Sequence, residues 1–75
     1  MTKLPVVSSK ECIKALAKVG FVVSRQKGSH IILYREDPYA KVVVPEHREL
    51  AKGTLRRIIR DSDLTVDEFI AILGA

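Results

Sequence analysis

The feature that most constrains the fold is a short polar segment between two β-like runs. Residues 21–25 precede this segment, residues 30–35 follow it, and Gly28 lies inside it. A glycine between runs rich in β-branched and aromatic residues is typical of a hairpin turn. A third β-like run, residues 41–44, follows a second turn and ends at Pro45. The three runs predict an antiparallel meander, which commonly buries one face and leaves the other in water.

Side-chain alternation assigns the residues of each run to two faces. In the first run, Phe21, Val23 and Arg25 are predicted to share one face. In the second run, the two predicted faces are formed by His30, Ile32 and Tyr34 and by Ile31, Leu33 and Arg35. Both of these faces carry apolar residues, so alternation leaves open which one meets the core.

Helical patterns flank the strands. Ser8 and Glu11 have the spacing of a capping box that begins a helix, and Gly20 predicts where that helix ends. A second helix is predicted from about residue 54, and a capping box at Thr65 and Glu68 predicts a third. The order indicates an α+β fold with helices on one face of a three-stranded antiparallel sheet. It is the double-stranded-RNA-binding order α-β-β-β-α with an extra short C-terminal helix.

An apolar stripe predicts which side of the first helix meets the core. The stripe consists of Cys12, Ile13, Leu16, Ala17 and Val19. Because Cys12 lies within it, we interpret this residue as part of the core rather than as a nucleophile or metal ligand. A single cysteine also excludes an intrachain disulfide, which favours a reducing compartment.

The size and hydropathy of the chain limit its organisation. Seventy-five residues predict one domain, spanning residues 1–75, without room for a separate substrate-binding domain. No run approaches the ~20 apolar residues of a membrane helix. The N-terminus lacks the apolar stretch of a signal peptide. We therefore expect a cytoplasmic protein with no membrane partner.

The basic residues are concentrated in the middle of the chain. Residues 25–60 carry nine Lys and Arg against four acids, whereas residues 61–75 carry four acids and no base. This distribution favours an anionic partner, most commonly a polyphosphate, over a face that is merely solvated. Arg56, Arg57 and Arg60 fall on one side of the predicted second helix with no acid among them. Their guanidinium groups suit phosphate or an acidic partner.

His30 is the candidate catalytic residue. Histidine exchanges protons near neutral pH, whereas a turn needs no imidazole; a surface histidine after a turn is the alternative interpretation. His30, His47 and Cys12 lack the spacing of metal ligands, so we expect no metal and no cofactor. RNA carries its own nucleophile, the 2′-hydroxyl, so a ribonuclease needs only a proton-transfer group and cations. His30 supplies the first, and Arg25, Lys27 and the three arginines of the second helix supply the second.

Several motifs in a fixed order resemble the HicA family of toxins from bacterial and archaeal toxin–antitoxin modules. They lie within residues 9–73, at the helix end 20–21 and at 25–30, 43–47, 52–59 and 64–69. The resemblance implies a double-stranded-RNA-binding-like fold, an mRNA-interferase activity and a HicB-type antitoxin that covers the active site. It places the catalytic histidine on His30, with Gly28 and Ser29 shaping its turn. His47 also matches a family motif, to which we attach no catalytic role.

These observations lead to a preferred function and to alternatives. The preferred hypothesis is a toxin that cleaves mRNA as a metal-independent endoribonuclease, with His30 as general acid/base and a HicB-type antitoxin as its partner. The first alternative is a non-catalytic RNA-binding module of the same fold. A third hypothesis is an interaction subunit whose basic face binds only an acidic protein.

Overall fold

The computed structural model describes residues 3–74. Its elements, in chain order, are α1 (Ser9–Ala17), β1 (Val22–Lys27), β2 (His30–Glu36), β3 (Tyr39–Pro45), α2 (Lys52–Asp61) and α3 (Val66–Gly74). This order confirms the predicted α+β fold with an additional C-terminal helix. The strands form one antiparallel sheet in the order β1-β2-β3. None of the helices within residues 3–74 has the length and apolar character needed to cross a membrane.

Alternation along β2 and β3 decides which face of the sheet is buried. Leu33, Val42 and Val44 are buried, whereas the residues between them are partly or fully exposed. α1 and α2 pack against β3, and α3 packs against both helices, so the helices lie on this face. Large side chains from the helices and from the residue that precedes β1 complete the core, namely Leu16, Phe21, Leu55, Ile58 and Phe69. Full burial of such a side chain stabilises the folded state by about 1.5–3 kcal/mol relative to leaving it exposed.

β1 is an edge strand that the helices leave uncovered. All six of its residues are exposed, and Val22 and Val23 each retain 52% of their accessible surface. The helices pack against β3, at the opposite edge of the sheet. Hydrogen bonds with β2, rather than burial of its side chains, therefore hold β1 in place.

The N-terminus of α1 has the predicted capping box. The Ser8 hydroxyl accepts a hydrogen bond from the Glu11 N–H at 3.1 Å, and the Glu11 carboxylate accepts one from the Ser8 N–H at 2.9 Å. The buried side of α1 differs slightly from the predicted stripe, because Ala15 is buried and Ala17 is exposed. At 100° per residue, a side centred between Ala15 and Leu16 turns Ala17 into solvent.

Arg35 joins three segments at the end of the sheet where β2 turns into β3. Its Nε donates to the Pro38 carbonyl at 2.9 Å, and its terminal nitrogens reach the carbonyls of Val19 and Ser62, each at 3.4 Å. The guanidinium also lies 4.7 Å from the centroid of the Phe21 ring, which adds a cation–π contact. This arginine is a structural cation that connects the ends of α1 and α2 to the sheet.

The buried thiol of Cys12 confirms its interpretation as a core residue, and it predicts a pH dependence of stability. Burial raises the pKa of the Cys12 thiol from 9.0 to about 12. Since the folded pKa is the higher one, the unfolded chain ionises first, and stability present below about pH 9 is lost as the pH rises towards about 12. This thiol should lower the free energy of unfolding by up to ~1.4 kcal/mol per pH unit in that window.

Cys12→Ala should remove this part of the alkaline slope, although its lost packing lowers stability at neutral pH. Denaturant unfolding of both proteins across the alkaline range measures the difference. Parallel curves for the two proteins would contradict the assignment.

Candidate functional site

The uncovered face of the sheet carries the candidate site, and we call it the open face. Antiparallel neighbours that lie directly opposite point to the same side of a sheet. On β2 and β3, cross-strand pairing and exposure place the following residues there: His30, Ile32, Tyr34, Glu36, Tyr39, Lys41, Val43 and Pro45. His30 is exposed at one end of this face, while Ile32 and Val43 form a paired apolar centre. The predicted grouping of His30, Ile32 and Tyr34 on one side is therefore confirmed.

A β-bulge in β1 brings Arg25 and Lys27 to the open face. Val23 lies opposite Leu33, but Arg25 lies opposite Ile32, so Ser24 is an extra residue without a cross-strand partner. The expectation that Arg25 shares a face with Val23 is therefore wrong, because the bulge resets the alternation.

The same bulge decides where Lys27 lies relative to the histidine. Lys27 lies directly opposite His30, an arrangement that places Cβ atoms about 5 Å apart. Arg25, Lys27 and His30 are thus neighbours on one face, as a shared phosphate site requires.

The turn before His30 depends on Gly28. Lys27 and His30 form the last pair of the hairpin, which leaves Gly28 and Ser29 as a two-residue loop. Gly28 has φ +60°, and Ser29 is not among the residues with positive φ. This pattern matches a type II′ turn, which favours glycine at the first of its two central positions. The predicted role of Gly28 and Ser29 in shaping this turn thus has a conformational basis.

Hydrogen bonds hold this turn to the end of β3. The Gln26 amide nitrogen donates to the Gly28 carbonyl and to a Glu46 carboxylate oxygen, both at 3.0 Å. The Glu46 N–H donates to the Ser29 carbonyl at 2.6 Å. Gln26 faces the side opposite to His30, since it pairs with Ile31. It therefore supports the turn from behind and leaves the imidazole accessible.

A shallow cleft of about 340 Å³ lies beside this end of the sheet, at the start of α1. The His47 carbonyl accepts a hydrogen bond from the Ser9 N–H at 3.0 Å, which docks α1 there. Lys10 and Arg48 line the cleft with His47 and add cations that sequence reasoning did not assign to the site. No local signal identifies Lys10, because its position depends on the docking of α1.

Lys41 is a further cation that sequence reasoning missed. It is exposed and lies directly opposite Tyr34 on the open face. The alternation of β3 offered a signal, since Val42 and Val44 on one face imply Lys41 on the other. Arg25, Lys27 and Lys41 therefore stand on both sides of the apolar centre.

The three arginines of α2 lie elsewhere. Leu55, Ile58 and Ile59 are the buried side of α2, which packs against the covered face of the sheet. Arg56, Arg57 and Arg60 are turned away from this core, so the sheet and the core lie between them and His30. From the sequence, Arg25, Lys27 and the three arginines of α2 are expected to surround one phosphate. In the structure these cations lie on two separate surfaces. In addition, Asp61 approaches Arg57 and Arg60 at 3.7 and 3.8 Å.

The site chemistry consists of an accessible imidazole and surrounding cations. Among residues 3–74, no three His, Cys, Asp or Glu side chains form a group that could hold a metal ion. The open face can offer proton exchange at His30, positive charge at Arg25, Lys27 and Lys41, and an apolar surface at Ile32, Tyr34 and Val43.

A family model described as the HicA toxin of bacterial toxin–antitoxin matches residues 9–64. The matched residues run from the start of α1 past the end of α2, and they include the whole sheet with its open face. Comparison with curated proteins gives no match.

Gly28→Ala is expected to lower the free energy of unfolding by about 1–2 kcal/mol, because alanine is strained at positive φ. A Cβ at Gly28 would meet no atom within 4 Å, so backbone strain is the whole cost. Gly53→Ala is a matched control, since a Cβ there also meets open space but lies in α2.

That control should instead stabilise the fold by up to about 1 kcal/mol. Chemical denaturation of both variants measures the two effects. Effects of the same sign at the two positions would refute the assigned turn conformation.

Proposed function

The chain belongs to the HicA family of toxins from bacterial toxin–antitoxin modules, and we propose that it cleaves messenger RNA with His30 as general acid/base. The observation that carries this proposal is the position of His30 beside Lys27 and Arg25 on the open face. As a member of a toxin–antitoxin module, the protein has an antitoxin as its partner.

The proposed reaction needs no nucleophile from the protein. The 2′-oxygen of a ribose attacks the adjacent phosphorus, and the bond from phosphorus to the 5′-oxygen breaks. His30 accepts the proton of the attacking 2′-hydroxyl while water protonates the departing 5′-oxygen, or in its protonated form His30 gives a proton to the 5′-oxygen while water takes up the proton of the 2′-hydroxyl. Lys27 and Arg25 stabilise the negative charge that builds up on the phosphoryl oxygens. Gly28 and Ser29 hold the backbone turn from which His30 projects.

The shape of the open face favours a single-stranded substrate. Unpaired bases can stack on aromatic and apolar side chains, whereas paired bases in an RNA duplex are not available for stacking. Tyr34 and the Ile32–Val43 pair provide such a surface, with Lys41 and Arg25 beside it for the backbone phosphates. Glu36 and the exposed Asp37 bound this surface at its far end, where they would repel phosphate.

The same face suits neutralisation by a HicB-type antitoxin. A protein that covers the apolar centre and the surrounding cations would exclude RNA from His30 without any change in the toxin fold. The partly exposed Ile32, Tyr34 and Val43 offer the apolar contact that the centre of a protein interface requires.

A non-catalytic RNA-binding module is the second candidate function. One observation favours it: the His30 imidazole is exposed, and within residues 3–74 the side-chain hydrogen bonds at this turn belong to Gln26 and do not orient it. Both functions use the same cationic face, so only the chemistry at His30 separates them.

His30→Ala is expected to lower the rate of RNA cleavage roughly 10²–10⁴-fold, the usual contribution of a placed general acid or base. The measurement is cleavage of a long single-stranded RNA by the purified protein in EDTA. His47→Ala is the matched control and should keep a rate close to that of the unmodified protein.

RNA binding without cleavage by the unmodified protein would instead establish the second candidate. Equal cleavage by the unmodified protein and His30→Ala would exclude His30 as the proton-transfer group.

Tyr34→Ala should weaken the binding of single-stranded RNA by about 1–3 kcal/mol, the usual contribution of one stacked base. Tyr39→Ala is the matched control, because Tyr39 is 71% exposed and lies beside the acidic turn. Affinities of the two variants for a short unstructured oligonucleotide, at one salt concentration, give the comparison. Equal losses for the two tyrosines would rule out the proposed path of the RNA.

A further inference from the structure

A cleft between α2 and α3 lies on the helical side of the molecule, away from the open face. Its volume is about 810 Å³. We call it the α2–α3 cleft; it is lined by Arg56, Arg57, Arg60, Ile59, Leu64 and Val66, among others. The arginines carry positive charge along one wall, while the partly buried Leu64 and Val66 provide the accessible apolar surface, since Ile59 is buried.

We infer that the α2–α3 cleft binds an acidic, amphipathic segment of the antitoxin, as a second contact separate from the open face. The inference rests on the proposed function only for the identity of this partner, since an antitoxin is what a toxin of this family must bind. It does not depend on the chemistry at His30.

The arginines of the cleft are available to a partner. Arg56 and Arg60 are exposed, and Arg57 is partly exposed. The contacts of Asp61 with Arg57 and Arg60 are 3.7 and 3.8 Å long and lie at the surface, where such pairs contribute little. Within residues 3–74, Arg56 has no carboxylate at salt-bridge distance.

The apolar surface of the cleft favours a protein segment over a nucleic acid backbone. Ile59 is buried, and Leu64 and Val66 are only partly buried where they pack against the core. Phosphate groups gain no binding free energy from contact with an apolar surface, whereas the apolar side of an amphipathic helix can be buried against it. Arg56 and Arg60 are one helical turn apart, about 6 Å along the axis. Acids at i and i+4 on a partner helix have the same spacing.

A carboxylate in the cleft supports the same choice. Asp63 lines the cleft together with the arginines. A continuous polyphosphate crossing the cleft would meet this carboxylate as well as the arginines. A protein segment can instead place its acids at the arginines alone, so mixed charge selects it over RNA.

The two surfaces can be tested separately because they lie on opposite sides of the sheet. The double variant R56E/R60E reverses two exposed charges of the α2–α3 cleft. K3E/K14E is the matched control, since it makes the same change in net charge at exposed lysines elsewhere. Each full-length variant is assayed for its affinity for the antitoxin encoded with this toxin, and for RNA cleavage. A thermal melt checks that each variant is folded. If R56E/R60E does not fold, R56Q/R60Q replaces it, because this variant removes the two charges without reversing them.

R56E/R60E should weaken antitoxin binding by about tenfold or more, equivalent to ~1.4 kcal/mol, while its RNA cleavage stays at the unmodified level. The salt dependence of its antitoxin affinity should also be smaller. K3E/K14E should change neither property.

Three results would overturn the inference. Unchanged antitoxin affinity would show that the arginines are merely solvated. Loss of RNA binding or cleavage with unchanged antitoxin affinity would assign them to RNA. An equal loss of antitoxin affinity in K3E/K14E would show that the effect depends only on the net charge of the protein. If the unmodified protein fails to cleave RNA, the proposed function fails, yet antitoxin affinity still tests the cleft.

Discussion

Coverage of only one face of the sheet by the helices is the constraint on which the rest of the structure depends. Leu33, Val42 and Val44 are buried beneath the helices, and within residues 3–74 no comparable layer covers the other side. A chain of this size buries only about 60% of its unfolded surface, so it offers an open face rather than a deep pocket. Such a face supports a mechanism in which the substrate brings its own nucleophile and the protein adds an imidazole and cations.

The parts of the fold that sequence predicts well are those with local signals. The capping boxes at Ser8 and Thr65 and the glycine at the first turn depend on residues within a few positions of one another. They give the order and number of the elements, and the order makes the α+β class predictable. His30 becomes a candidate in the same way, because an imidazole directly after a tight turn is unexpected for a purely structural strand; its catalytic role stays a prediction.

The parts of the site that sequence misses depend on pairing between distant segments. The face of Arg25 is set by a bulge that exists only against β2, and strict alternation assigns it to the wrong side. Lys41 joins the site through its register with Tyr34, and Lys10 reaches the cleft beside it through the docking of α1 on the His47 carbonyl. The positions of Arg25 and Lys10 depend on non-local contacts that no window of sequence contains, whereas the alternation of β3 already indicates the face of Lys41.

The basic residues have three different roles, which can be distinguished by their burial and by the groups next to them. Arg35 is held by carbonyls and the Phe21 ring, so its charge serves the fold. Arg25 and Lys27 share the open face with His30, whereas the arginines of α2 point into solvent on the opposite side of the sheet. Interactions at separated surfaces contribute nearly additively to binding, and two linked contacts strengthen each other by proximity. An antitoxin that binds both surfaces would gain affinity from the second one without using the residues that we propose to act on RNA.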